Sequence, residues 1–187
     1  DKLLEVEYNG KSDYLLDLEV RQNRADAFGV IGLARELSAY YNIPLIIPEF
    51  KILENSNNSE LPIEVRAKDS VKRVMAVRFE DLTISESPKW LVEYLNLYEI
   101  NSINNLVDLT NYVMIETAHA SHAFDLDLTG TEKLIWEINP IYKKFETLSG
   151  EIVDLNSNAL VISDGGKPLS LSIVGGKEVG INNDTKR

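Results

Sequence analysis

The sequence predicts an α+β fold, on three observations. Two helix-patterned stretches fall in its middle third, and a run of period-two segments follows from Leu134 onward. Helices first and strands afterwards argue against a wound parallel sheet, in which the two alternate. The third observation is the polar run Asn55-Ser56-Asn57-Asn58-Ser59, which separates a short strand–helix segment from the rest. The expected organisation is therefore a small α+β piece over 1–50, a linker over 51–59 and a larger α+β domain over 60–187. That larger domain should hold a mixed or antiparallel sheet and two or three helices.

The length of 187 residues leaves room for one large or two small domains. With 44% hydrophobic and 26% charged residues, the chain has the makings of a core and is not of the disordered class. Apolar runs such as Pro44–Pro48 are too short to span a bilayer. Both ends read as internal to a longer protein, since the chain opens Asp1-Lys2-Leu3 with no signal region and stops at Thr185-Lys186-Arg187. The absence of Cys excludes disulfides, a thiol nucleophile and thiolate metal sites. Thirty acidic against nineteen basic residues give a net charge of −11, so any contact with RNA has to be local.

In the first segment, Tyr14–Val20 alternates, with Leu16, Leu18 and Val20 on one face, and reads as a half-buried strand. A helix of about twenty residues should follow, with Asn23 as its cap and Asp26 reaching back. Ala27, Val30, Ile31, Ala34, Leu37 and Tyr41 form its stripe, and Asn42 with Pro44 ends it. In the second segment, Ile63–Ala67 and Val71–Leu82 read as strands. Ser87 and Pro88 then open a helix, Ser87 as cap, with Trp90, Leu91, Tyr94, Leu95 and Tyr98 as core rather than as a base-stacking platform. A further helix runs from Asn104 or Asn105 to Glu116, with Leu106, Leu109, Val113 and Met114 inward. Strands follow at 134–138, 145–148, 152–153, 160–163 and 169–174, with turns at Ser149-Gly150 and Asp164-Gly165-Gly166.

The two histidines fall together in Thr117-Ala118-His119-Ala120-Ser121-His122-Ala123-Phe124-Asp125. A metal site on His119, His122 and Asp125 would use three-residue steps and has no fourth ligand in view, so no metal is expected. One histidine could serve as an acid, base or hydrogen-bonding group at a pocket mouth; alternatively, both satisfy loop backbone. Gly175-Gly176 after an apolar strand suits either a tight turn or a close approach of backbone to a ligand. It is not a P-loop, because the glycine–lysine–serine/threonine spacing is missing.

Taken in order, several motifs resemble one family. Asn23-Arg24-Ala25-Asp26 with Val30-Ile31-Gly32-Leu33-Ala34-Arg35-Glu36 is similar to the stretch before the central domain of the bacterial phenylalanine–tRNA ligase β subunit. Ile103-Asn104-Asn105-Leu106-Val107-Asp108-Leu109-Thr110-Asn111-Tyr112-Val113-Met114 resembles that domain's most recognisable helix. His122-Ala123-Phe124-Asp125, Leu160-Val161-Ile162-Ser163-Asp164 and Gly175-Gly176 follow in the family's order. The resemblance implies that residues 1–50 end a first domain and that the remainder is a domain hydrolysing tyrosine wrongly attached to phenylalanine tRNA. A pocket shaped for Phe rejects an added hydroxyl poorly, so such an enzyme needs a second sieve.

By the same resemblance, Thr110, Asn111, Gly175, Gly176 and the position of Asn101 bind substrate, and His122 orients water or ribose in the hydrolytic step. The implied partners are an α subunit in an (αβ)₂ assembly and the 3′ end of aminoacylated tRNA, in the cytoplasm and without a membrane. ATP and Mg²⁺ are expected for the whole enzyme and no cofactor for this stretch, which carries no ATP motif. Three positions depart from the family's pattern: Asn101 replaces an Arg, Ala118-His119-Ala120 replaces Gly-Gln-Pro, and Ser172-Ile173-Val174 is one residue short before Gly175. The remaining residues of the family's tyrosine site would lie past Arg187. The alternative expectation is a structural, tRNA-contacting portion of the subunit whose pocket has degenerated.

Overall fold

Asn9-Gly10 is the first structure-setting dipeptide. Both residues have positive φ, 52° and 70°, the conformation that a two-residue hairpin loop matching strand twist requires. It joins β1 (Lys2–Tyr8) to β2 (Lys11–Asp17) in an antiparallel hairpin from Tyr8↔Lys11 to Lys2↔Asp17. A computed structural model describes residues 2–49, 61–139, 141–172 and 174–187. The expected linker at 51–59 lies outside the described residues. No helix among the described residues is long and apolar enough to cross a membrane.

The expected strand Tyr14–Val20 is corrected to β2, three residues earlier. Its inward residue is Leu15, whereas Leu16 is 57% exposed. The expected long helix is two pieces: a 3-10 turn over Ala25–Phe28 and α1 (Val30–Tyr41), separated by extended Gly29. The reason is steric. A Cβ at Gly32 would stand 1.7 Å from the Asp26 carbonyl oxygen, so the short turn lies against the first turn of α1. Asn23 caps nothing; Asp26 pairs with Arg24 instead, 2.8 Å away. The helix ends as expected at Asn42, in the left-handed region.

α2 (Lys89–Leu97) starts after Pro88, and Ser87 is not its cap. α3 (Asn105–Thr117) is capped by Asn104, whose side-chain oxygen accepts from the Leu106 and Val107 amides. Leu91 and Leu95 are fully buried and meet Ile115, with Val30, Tyr94, Ile100 and Tyr112 around them. Trp90 and Tyr94 meet Tyr112 edge-on, at 5.6 and 5.3 Å between ring centres. The inner face of α3 is therefore Asp108, Tyr112 and Ile115; Leu109 and Val113, expected inward, are about half exposed.

The strands build a second core. β3 (Ile63–Val65) pairs parallel with β4 (Leu134–Ile138), and β4 pairs antiparallel with β7 (Leu160–Ser163). β5 (Lys144–Glu146) and β6 (Ile152–Asp154) form a separate antiparallel pair. β8 (Pro168–Leu171) and β9 (Val174–Gly175) extend the first sheet to the order β3-β4-β7-β8-β9. The single strand expected over 169–174 is broken at Ser172, with φ of 54°. Leu134, Leu169 and Val179 are the buried centre, with Leu61, Phe124 and Trp136 against them. The strand expected over Val71–Leu82 is not formed.

These two cores belong to two compact units interleaved along the chain. One holds the described residues of 2–49 and Ser85–Ser121; the other holds 61–84 and His122–Arg187. α2 and α3 belong to the first of these units. The mixture of helices with a five-stranded mixed sheet is α+β.

Candidate functional site

His122 sits at the head of a segment fixed by its own aspartate. Asp125 is buried, and its amide donates to the Val179 carbonyl at 3.0 Å. Its Oδ2 accepts from the Thr185 hydroxyl at 2.6 Å and from Asn182 at 3.4 Å, and its Oδ1 accepts from the Asp127 amide at 3.0 Å. Oδ2 thus holds the 179–185 segment and Oδ1 the turn at Asp127, so both carboxylate oxygens of Asp125 are already engaged within the fold. Among the described residues no three His, Asp or Glu gather as a metal-binding group.

With that segment fixed, the His122 ring stands edge-on to Phe124, 4.7 Å between centres. Its other boundary is Gly175. A Cβ on Gly175 would fall 2.1 Å from His122 Cε1 and 2.3 Å from Nε2, and 2.9 Å from Leu148 Cδ1. Only glycine permits this seat, on grounds of close approach and not of backbone angle. Burial pushes the His122 imidazole below the ordinary histidine value of 6.5, so it is neutral at pH 7. Among the described residues neither ring nitrogen has a hydrogen-bond partner, which leaves a neutral imidazole able to accept from, or donate to, a bound group.

The glycine pair itself is drawn into the sheet. The Gly176 amide donates to the Leu169 carbonyl at 3.0 Å, and the Gly175 carbonyl accepts from the Leu148 amide at 3.0 Å. Cβ atoms at Gly176 would reach 2.6 Å from the Leu169 oxygen and 3.1 Å from the Phe145 ring. The turn expected at this dipeptide is at Ser172 instead, and Ile173 lies outside the described residues. Lys177 and Glu146 form an exposed pair beside it, 2.6 Å apart.

The other expected residues lie in the first unit. Asn101 is exposed in the loop before α3, and Thr110 and Asn111 are half-buried on that helix. Thr110 Oγ1 donates to the Val107 carbonyl at 2.6 Å, an intrahelical bond. Beneath them Asp108 is fully buried. It accepts from Ser87 and Ser102 hydroxyls at 2.5 Å each and from the Ile103 amide at 2.9 Å. His119, also in this unit, is exposed, and its Nδ1 lies 3.0 Å from the Thr117 carbonyl oxygen, in keeping with the reading of a histidine that satisfies loop backbone.

Structural carboxylates also escaped the sequence reading, Asp108 among them. Another is Asp164, buried behind β7, which accepts from the Gly130, Gly166 and Lys167 amides at 2.7, 2.8 and 2.8 Å. Desolvation pushes the Asp164 carboxyl up, but the donors at Lys167, Gly166 and Gly130 outweigh it and hold it below the usual carboxylate range. The Asp164-Gly165-Gly166 run signals this local cradle; nothing as local signals Asp108.

The family model and the relatives that match this chain agree. Residues 70–187 match the B3/4 domain, well over half of the chain. Phenylalanine–tRNA ligase beta subunits align along almost all of it. That of Bdellovibrio bacteriovorus is 37% identical over 183 residues, covering 96% of this chain and 22% of the relative. That of Carboxydothermus hydrogenoformans is 34% identical over 187 residues, 100% of this chain and 23% of the relative. That of Thermotoga maritima is 33% identical over 182 residues, 97% and 23%. The chain spans less than a quarter of the length of these relatives. With a family match that takes in His122, α3 and the Gly175-Gly176 strand, the chain belongs to the B3/4 domain family.

Proposed function

We propose that this chain is a segment of the β subunit of a phenylalanine–tRNA ligase, and that its B3/4 domain hydrolyses tyrosine misattached to phenylalanine tRNA. The observation that carries the reading is the neutral His122 imidazole seated against Gly175. An aminoacyl ester is already activated, so hydrolysis needs a well-placed water and stabilised charge more than a protein nucleophile. A neutral imidazole with an unengaged nitrogen can hold that water or the ribose hydroxyl and accept a proton as attack proceeds. Phe124 and Asp125 set the angle of the ring and therefore of the water. Thr110, Asn111 and Asn101 keep the substrate-contacting roles implied by the resemblance, as do Gly175 and Gly176.

The same reading assigns the whole enzyme an α subunit in an (αβ)₂ assembly, tRNA, ATP and Mg²⁺, and a place in the cytoplasm. It also keeps the division into 1–50, 51–59 and 60–187 as the domain plan. A second reading has two observations in its favour: the Gly176 amide and Gly175 carbonyl are already hydrogen-bonded, and position 101 bears no cation. There the domain would contact tRNA without hydrolysing it.

Deacylation separates the two. The full β subunit with its α partner is given tyrosyl-tRNA for phenylalanine, as parent, His122→Ala and Asn101→Arg. On the first reading the parent outpaces buffer and His122→Ala loses about 100-fold, the usual contribution of such a group. If the parent matches buffer and His122→Ala changes nothing, the second reading stands, and a gain on Asn101→Arg would identify the missing cation as its cause.

A further inference from the structure

Among the described residues, 72–80 form an edge without a neighbour. The stretch is rich in strand-favouring residues, Val74, Val77 and Phe79 among them, and its sequence predicts a strand. Yet among the described residues no backbone–backbone hydrogen bond involves 72–81, and no strand includes them. Met75 is 78% exposed, Val77 70% and Phe79 48%, one apolar side chain at every second position. Backbone groups in a folded protein find partners, and a long apolar edge is a template for a further strand.

The first step of that pairing is already in place. The Leu82 amide donates to the Lys186 carbonyl at 3.0 Å, and the Leu126 amide donates to the Arg187 carbonyl at 3.0 Å. Successive carbonyls of an extended chain point to opposite sides, so residues 186–187 run between Leu82 and Leu126 as a strand between two neighbours. Their direction follows from one shared carboxylate. Glu132 takes Arg187 on Oε1 and Arg78 on Oε2, each at 2.7 Å. From Leu82 the chain is thus heading towards Arg78, antiparallel to 72–82.

We propose that the polypeptide following Arg187 in the longer β subunit continues on this course as a β-strand, pairing antiparallel with residues 74–80, past the bend at Asp81, whose φ is 54°. Its alternate side chains are apolar and stand beside Met75, Val77 and Phe79, the cross-strand pairs that stabilise a sheet. This rests on the reading of the chain as a segment of that subunit.

Amide hydrogen exchange on the full β subunit with its α partner tests it, with the 187-residue chain as reference. Every second amide of 74–80, those facing the added strand, should exchange at least about 100-fold more slowly in the full subunit than in the reference chain. A peptide of the roughly ten residues after Arg187, one strand's length, should slow them when added to the reference chain. Equal exchange in subunit and reference overturns the proposal, as does protection that survives replacing those residues with a glycine–serine run. Deacylation is scored separately. Protected amides without hydrolysis would sink the editing reading alone, and brisk hydrolysis with unprotected amides would sink this pairing alone.

Discussion

The two units hold their candidate residues in opposite ways. In the helical unit the structural work is done by Asp108, fully buried, while Thr110 and Asn111 stand on the flank of the same helix one turn further on. In the strand unit there is no such separation, because the His122 ring lies directly on Gly175 and Gly176 bonds into β8. Stability and function should therefore come apart cleanly in the first unit, whereas in the second every change at the site also touches packing. That difference also says where a silent substitution is possible. A change at Asn111 can be read as chemistry, whereas a change at Gly175 is always partly a change of packing.

The largest effect should come from Asp108→Ala. It leaves two hydroxyls and one amide without their acceptor, at positions joining α2, the 101–104 loop and α3. An unsatisfied buried group costs about 1–3 kcal/mol, and hydroxyls can turn elsewhere, so the loss should be about 3–5 kcal/mol. Urea unfolding of parent and variant measures it. A loss under about 1 kcal/mol would mean that the carboxylate is not the lock described, and would break the contrast between the units.

Next come the two glycines, which should separate by readout. At Gly176 the obstacle to a Cβ is the Leu169 carbonyl oxygen, so backbone must move. Overpacking of that kind typically costs about 1–3 kcal/mol, and Gly176→Ala should lower the unfolding midpoint accordingly. At Gly175 the obstacle is the end of a side chain, the His122 ring, which can swing aside. Gly175→Ala should thus cost less stability while losing hydrolysis as fully as His122→Ala. Equal activity in parent and Gly175→Ala would show that the His122 seat is not needed for the reaction.

A smaller, pH-dependent effect belongs to His122. Burial lowers its folded-state value below 6.5. As pH falls, the unfolded chain takes up this proton first, so the unfolded state binds more protons and stability falls. The loss begins near pH 6.5 and continues down to the lowered folded value; above that window the imidazole is neutral in both states and contributes nothing. Stability measured from pH 7.5 to 5 should therefore drop more in the parent than in His122→Gln. Superimposed curves would place the ring in solvent instead.

How far the sequence could be read follows the range of each interaction. The Asn104 cap, the Asn42 stop and the turn at Gly150 are local, and each was visible in a few residues. The hairpin at Asn9-Gly10 is equally local, but the alternation after Tyr14 points to a strand three residues later than β2. The break before α1 was not legible, since it depends on Gly32 meeting the Asp26 carbonyl in space. The face of α3 was misjudged because a buried aspartate occupies a position that a hydropathy stripe assigns to solvent. His122 stood out by residue type alone. Its contact with Gly175, across more than fifty positions, had no local trace, and neither did the lack of a neighbour for 72–80 among the described residues.

The smallest effect, and the sharpest control on the comparison, is expected at His119. It lies three residues from His122 and is the same residue type, yet it belongs to the other unit and is exposed. Among the described residues the hydrogen-bond partner of its ring is the Thr117 carbonyl at the end of α3, a contact that water can replace at little cost. His119→Ala should leave the unfolding midpoint within about 0.5 kcal/mol of the parent, as for most surface changes. Hydrolysis of tyrosyl-tRNA should change by less than about twofold, against about 100-fold for His122→Ala. Zinc titration sets the two readings of the pair against each other most directly. A site using both histidines would bind zinc in the parent and lose it in either variant, with stability rising on saturation. Independent histidines predict no tight binding in any of the three proteins, so a stoichiometric, His119-dependent uptake would tie together the two residues that the fold sets in separate units.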